Sequence, residues 1–345
     1  MNTTELKQAM RLLIANDDVP FIVGKPGGGK SDTVKQFAMQ MAKDLDLPYY
    51  EGPENFNSDN FGFIDLRLNS IDVIDLSGLP MIDHEKEVTK FTRSPYIPAS
   101  GHGILFLDEL PQSKPSNMAA VSQLILDKRV GSYSLGPNWK IITAGNRTKD
   151  RASANRLPTH IANRLTTLEL DFDINTFVEY MQQHNIDEAA IAFARHAPQH
   201  LESFNPDHEI NCTPRSFIAS SHYLTLPEDI MYPLVSGTTG EGMAAEFIGF
   251  NKLYKNLPDV QDFIDNPSKI KIPEEPDLLF ATLQMLSHNA NEENIPALAR
   301  FVKRVEKDAP ERAVNFWKEA LLRDPSIFAT TECQDFATAN KDILV

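Results

Sequence analysis

The chain has 345 residues, 41% hydrophobic and 23% charged, the composition of a globular protein with about two domains. Its formal net charge of −15 repels nucleic-acid backbones and disfavours a duplex-tracking protein. No apolar run approaches the ~20 residues needed to span a bilayer, no basic-apolar secretion leader is visible, and Cys212 and Cys333 suggest no disulfide framework, so a reducing cytoplasm is the expected setting.

Residues 3–16 carry Leu6, Met10, Leu13 and Ile14 at helical spacing. Phe21-Ile22-Val23 then reads as a short buried strand. It leads into Gly24-Lys25-Pro26-Gly27-Gly28-Gly29-Lys30-Ser31, an ungapped match to G-x-x-x-x-G-K-[ST]. A second helical pattern follows, with Val34, Phe37, Ala38, Met41 and Ala42 on one side. Strand, glycine loop and helix are the setting in which backbone N–H groups cradle phosphate oxygens, helped by the positive end of the helix. Gly24 to Asp32 are therefore the candidate nucleotide-binding residues. Lys30 is expected to reach the β- and γ-phosphates of ATP, and the Ser31 hydroxyl to hold Mg²⁺.

Phe63 to Leu68 alternates enough for a strand, and residues 70–100 read as an insertion that carries a small hairpin near Met81 to Phe91 or, equally, runs as an irregular surface loop. Gly103 to Leu107 is a buried parallel-type strand ending in Asp108-Glu109, at the end where ligands gather in open α/β sheets. Asp108 is the candidate for the Mg²⁺ shell and Glu109 for polarising the attacking water. Residues 116–127 predict a helix, Lys128 to Pro137 a short hairpin, and Trp139 to Ala144 a fourth strand ending at Gly145-Asn146. Asn146 thus shares Asp108's end of a sheet, where a neutral amide holds water without competing for the metal, although Asn after Gly also forms ordinary turns.

Four arginines follow: Arg147, Arg151, Arg156 and Arg164. Arg164 precedes Thr166 to Leu170, the predicted fifth strand, from where an arginine would project into a neighbouring subunit's nucleotide; a surface salt bridge is the ordinary alternative. From Asp171 the pattern turns helical. Thr213-Pro214-Arg215 opens a helix with proline at its first position. A loop is expected from Gly237 to Gly242, then a helix from Ala244 to Tyr254, a proline-rich stretch, and helical sequence again over 277–324. Asp171 to Asn175 mimics a calcium loop but has Thr176 and Gln182 where glycine and an acid are needed. His196, His200, His208 and His222 have no zinc-site spacing.

Taken together, GKPGGGKS (24–31), DLSGLP (75–80), GILFLDE (103–109), ITAGNR (142–147), LPTHIANRL (157–165) and TPRSF (213–217) resemble, in order, the AAA+ ATPases, and most closely their MoxR-like branch, over residues 20–225. The resemblance implies a P-loop NTPase αβα sandwich with a parallel five-stranded core over 1–170 and a helical lid over 171–230; the helical C-terminal extension over 231–345 exceeds a minimal lid and lies outside the shared motifs. It implies a homo-oligomeric ring of six subunits, while the charge and the lack of a long apolar run set nucleic acid and membrane aside as partners. It casts Asn146 as sensor 1, Arg164 as arginine finger with Arg156 in the same stretch as the alternative, and Arg215 as sensor 2. It implies a chaperone-like remodeller, often working with a partner that bears a von Willebrand factor A domain. A slow nucleotide-gated scaffold is the competing reading, and a nucleic-acid remodeller a more distant one.

Overall fold

The computed structural model describes residues 1–53, 59–147, 157–202, 204–205 and 207–340. Two compact units emerge. The first comprises Met1–Thr176 with Phe204–Glu209 and Thr213–Arg215; the second comprises Phe177–Ser203, Ile210–Cys212 and Ser216–Val345.

In chain order the first unit contains α1 (Thr3–Ala15), β1 (Val19–Gly24), α2 (Lys30–Asp44), β2 (Tyr49–Glu51), β3 (Phe61–Arg67), α3 (Val73–Ser77), the hairpin β4 (Pro80–Asp83) and β5 (Val88–Phe91), and β6 (His102–Asp108). It continues with α4 (Pro115–Asp127), the small hairpin β7 (Arg129–Val130) and β8 (Tyr133–Ser134), β9 (Asn138–Asn146), α5 (Thr159–Ala162) and β10 (Leu165–Glu169). The main sheet has the order β10-β1-β9-β6-β3-β2, six strands paired in parallel. All five expected strands are present, and the three-residue β2 joins them at one edge.

Both faces of this sheet are covered. Along β6, Ile104 and Phe106 point into a core with Leu6, Met10 and Ile14 of α1 and Val34, Phe37 and Ala38 of α2. The alternate residues Leu105 and Leu107 point into a second core with Val121, Leu124 and Ile125 of α4, Ile161 of α5 and Trp139. That is why the strand reads as an unbroken apolar run rather than an alternation. Each such side chain contributes about 1.5–3 kcal/mol through burial. A capping box starts α1: Asn2 Oδ1 accepts from the Glu5 N–H at 2.9 Å, and Glu5 Oε2 accepts from the Asn2 N–H at 3.0 Å. The chain leaves β1 through the glycine loop to the α1/α2 face, while the segment after β9 reaches α5 on the opposite face. The β1–β9 border is therefore the switch point of the sheet, where α/β proteins open a crevice at the carboxyl ends.

At the other end of the sheet, Asp17 Oδ1 accepts from Lys140 at 2.5 Å and Lys128 at 2.9 Å. The bonds and charges of these lysines, Lys140 first, hold its carboxyl at about 2 instead of the ordinary 3.8. A depressed carboxyl stabilises the fold above its unfolded value and loses that contribution as pH falls from 4 to 2. Because Asp17 is largely exposed, the amount is below ~1 kcal/mol at neutral pH. Urea melts of Asp17→Asn should therefore show a small deficit at pH 7 that disappears near pH 2; a deficit independent of pH would remove the ion pairs as its source.

The second unit is helical: α6 (Ile174–Gln183, entering from the first unit), α7 (Glu188–His196), α8 (Gln199–Glu202), α9 (Pro214–Ser221), α10 (Glu228–Thr239), α11 (Glu241–Lys255), α12 (Val260–Asp265), α13 (Pro276–His288), α14 (Ile295–Glu306), α15 (Pro310–Arg323) and α16 (Thr331–Ala339). Phe193 of α7 packs on Phe217, Phe247 and Phe250, and a separate core gathers Leu286, Leu298, Phe301, Phe316 and Trp317. The expected loop from Gly237 to Gly242 is not there. Helix α10 continues through Gly237 to Thr239, α11 starts at Glu241, and Gly240 alone (φ +92°) makes the turn. Val235, Thr239, Met243, Ala244 and Phe247 are buried at helical spacing, which outweighs the ~1 kcal/mol that each helical glycine costs.

Candidate nucleotide-binding site

The loop from Gly24 to Gly29 closes with the Gly28 N–H on the Lys25 carbonyl at 3.2 Å. Gly27 has φ +68°, and a β-carbon there would lie 2.8 Å from Thr213 Oγ1, so only glycine serves. Lys25, Pro26 and Gly28 line the same turn, Gly29 is the residue before α2, and Asp32 is exposed in the first turn of that helix. The first N–H groups of α2 lack intrahelical acceptors and point at the loop.

Lys30 is buried and curls back over the loop. Its Nζ donates to the carbonyls of Gly24 (3.0 Å) and Lys25 (2.9 Å) and to Asn146 Oδ1 (2.9 Å). Register explains the last contact, since Gly24 stands opposite Asn146 at the ends of β1 and β9. Ser31 Oγ donates to Asp108 Oδ2 at 2.8 Å, and Asp108 Oδ1 accepts from the Glu109 N–H at 2.8 Å. The carboxyl ends of β1, β6 and β9 thus converge on one spot. The fold is a parallel sheet with helices on both faces, in which the glycine loop leads from β1 into α2.

Glu109 lies just past β6 in the left-handed region, φ 58°, and its Oε2 is buried without a hydrogen-bond partner among the described residues. A buried carboxylate oxygen with nothing to accept from is costly unless a donor arrives. Gly145, beside Asn146, leaves room for Pro111 of the turn after Glu109: a β-carbon there would come within 2.3 Å of the proline ring.

In the sequence β3 reads only as a strand, yet its polar positions matter here. Arg67 stands opposite Asp108 in register, and Asp65 lies two residues before it. Protein atoms crowded around the Asp65 carboxyl raise its pKa; the charges of Asp108, Glu109 and Glu51 add to this, and Arg67 opposes it. An acid and an arginine interrupting a strand otherwise buried on both faces were the available signal. The surplus of negative charge, together with two hard oxygen donors 2.8 Å apart on Ser31 and Asp108, fits a small divalent cation such as Mg²⁺ that keeps most of its waters.

The remaining candidates lie in different places. Arg147 follows Asn146 and pairs with Glu169 at 2.9 Å. Arg215 is exposed in the first turn of α9, two residues after the Thr213 that abuts Gly27. Arg164 is exposed at the amino end of β10, where Leu165 stands opposite Val19. Gly24 ends that same β1 strand, five residues further on, so at ~3.3 Å per residue Arg164 stands roughly 16 Å or more from its own phosphate loop. Arg156 and Arg151 lie outside the described residues. Two of the four histidines are engaged elsewhere: His196 stacks on Phe250, and His200 meets Glu246 at 2.8 Å.

No family model and no curated protein matches the chain. Among solved structures it is similar to NtrX from Brucella abortus (15% identity, TM-score 0.38, covering 67% of this chain and 55% of that one). It is also similar to a provisionally described ATPase from Cytophaga hutchinsonii (13%, TM-score 0.36, 91% and 80%) and to a point mutant of RuvB from Thermotoga maritima (16%, TM-score 0.33, 90% and 78%). The chain spans just over half the length of the NtrX structure. Among the described residues no helix is long and apolar enough to cross a membrane.

Proposed function

We propose that this chain is an Mg²⁺-dependent ATPase of the AAA+ class, MoxR-like, working as a homo-oligomeric ring, a hexamer by resemblance, that remodels a client protein in the cytoplasm. One observation carries the reading: the Ser31 hydroxyl meets Asp108 at 2.8 Å while Lys30 spans to Asn146 at 2.9 Å. These four side chains come from the start of α2 and the carboxyl ends of β6 and β9, and ATP hydrolysis uses that combination.

In this reading the loop amides and Lys30 take the β- and γ-phosphates, Lys30 exchanging carbonyl partners for phosphate oxygens. Ser31 and Asp108 hold Mg²⁺, which when bound neutralises charge on those oxygens. Glu109 accepts the proton of a water whose oxygen bonds to the γ-phosphorus. The bond from that phosphorus to the bridging oxygen breaks, its electron pair leaving with ADP, and inorganic phosphate forms. The Asn146 amide keeps the water in line. Arg164 stands at the opposite end of β10 from its own loop, a position that supports a role toward the nucleotide of a neighbouring copy, through a head-to-tail contact that closes into a ring. Arg215 follows the state of the loop from beside Gly27. A partner with a von Willebrand factor A domain belongs to the same reading.

Calorimetry with Mg·ATP, followed by phosphate release with and without EDTA, tests the core; absence of binding heat ends it. Sedimentation with and without ATP tests the ring. The trans role has its own assay. Arg164→Ala should cut turnover by about 100-fold or more at unchanged ATP affinity. Mixing it with Lys30→Ala should restore part of the activity, because the Lys30 variant supplies the missing arginine. Mixtures as inactive as their components would remove Arg164 from that role.

A further inference from the structure

The turn that follows Glu109 is seated on β9 at one point. The register between β6 and β9 ends at Leu107–Thr143, whereas β1 stays paired with β9 as far as Gly24–Asn146. Past β6 the chain turns through Leu110–Gln112 and lays Pro111 over Gly145. A β-carbon on Gly145 would stand 2.3 Å from Cδ and 2.7 Å from Cγ of the proline ring; the next atom, on Phe21, is 3.5 Å away. Gly145 is not in the left-handed region, so its backbone would accept alanine. What the glycine provides is room for the ring.

The turn itself is stiff. The Gln112 N–H donates to the Glu109 carbonyl at 2.9 Å, and the Ser113 N–H to the Leu110 carbonyl at 3.2 Å. Leu110 and Pro111 are both buried, and a proline fixes its own φ. Glu109 enters the turn at φ 58°, a conformation that costs a non-glycine residue free energy and persists only where its surroundings enforce it. Its Oε2 meanwhile has no hydrogen-bond partner among the described residues. The backbone turn therefore places this carboxylate, and a displaced Pro111 carries Glu109 with it.

We propose that the contact between Gly145 and Pro111 sets the position of Glu109. It fixes the base against the strand whose next residue, Asn146, holds the water. Gly145 is a positioning residue: it acts through Glu109 and touches neither nucleotide nor water. This deepens the hydrolysis reading and rests on it.

The test reads steady-state and single-turnover rates beside ATP affinity from calorimetry. Gly145→Ala should lower kcat by about 10- to 100-fold, with ATP affinity held within about threefold, because the phosphate loop and Lys30 are untouched. Adding Pro111→Ala removes Cγ and Cδ, the atoms in the way, and should bring kcat back to within about threefold of Pro111→Ala alone. In the Glu109→Gln background Gly145→Ala should cost nothing further, since residues that act as one unit are not additive. Three results overturn the proposal: wild-type kcat in Gly145→Ala, a folded double variant as slow as Gly145→Ala, or the same loss with Glu109→Gln in place. A parallel fall in ATP affinity does so too, for then the contact supports the phosphate loop instead. Should Gly145→Ala fail to fold, Pro111→Gly decides. It frees the turn without filling space and should lower kcat about tenfold; wild-type kcat there overturns the proposal. A wild-type chain that releases no phosphate from Mg·ATP ends the hydrolysis reading and this proposal with it, whereas failure of the variants on an active wild type ends this proposal alone.

Discussion

Replacing Lys30 with alanine should weaken ATP binding by about 100-fold, ~2.8 kcal/mol, in an isothermal titration. The ammonium is the cation held over the loop, and its acceptors there (Gly24 O, Lys25 O and Asn146 Oδ1) fix it where phosphate oxygens would replace them. Charge-assisted bonds to phosphate are among the stronger ones a side chain makes. The substitution also strips a donor from buried acceptors, so a lower melting temperature is expected alongside. A folded Lys30→Ala protein that binds ATP like the wild type would show that the loop does not work as a phosphate cradle.

Glu109→Gln should behave differently. It keeps size and shape but removes the base, so turnover should fall by about 10²–10⁴-fold while ATP affinity stays within about threefold. The structural ground is the orphaned Oε2 of Glu109, buried beside an Asp108 whose own oxygens are both taken. Single-turnover phosphate release separates this from slow product loss. If the glutamine variant turns over at the normal rate, another group takes the proton, and Asp65, whose pKa is raised, is an alternative to examine.

The phosphate loop and β6 were legible because their chemistry is local. A glycine run between strand and helix, and an apolar run ending in two acids, need no knowledge of what lies across the sheet. The hairpin at 80–91 was only half legible, since an irregular loop fitted the sequence equally well until the Pro80–Phe91 register decided it. What escaped depends on distant partners. Asp65 and Arg67 gain meaning only when parallel register sets Arg67 against Asp108. Thr213 matters because it lies on Gly27, far earlier in the chain. The turn at Gly240 was misplaced because glycines at 237 and 242 look like breakers until the buried stripe through Val235, Thr239 and Phe247 is seen to hold both helices together.

The position of β1 has a consequence during synthesis. It comes well before its hydrogen-bonding neighbours β9 and β10, which end at residues 146 and 169. The nascent chain must therefore leave the ribosome to about residue 170 before that strand can be zipped on either side, and such distant pairing is slow to find. Truncation anywhere short of this point yields the signature peptide of the family it resembles without a fold to hold it, a segment that translation has finished but topology has not.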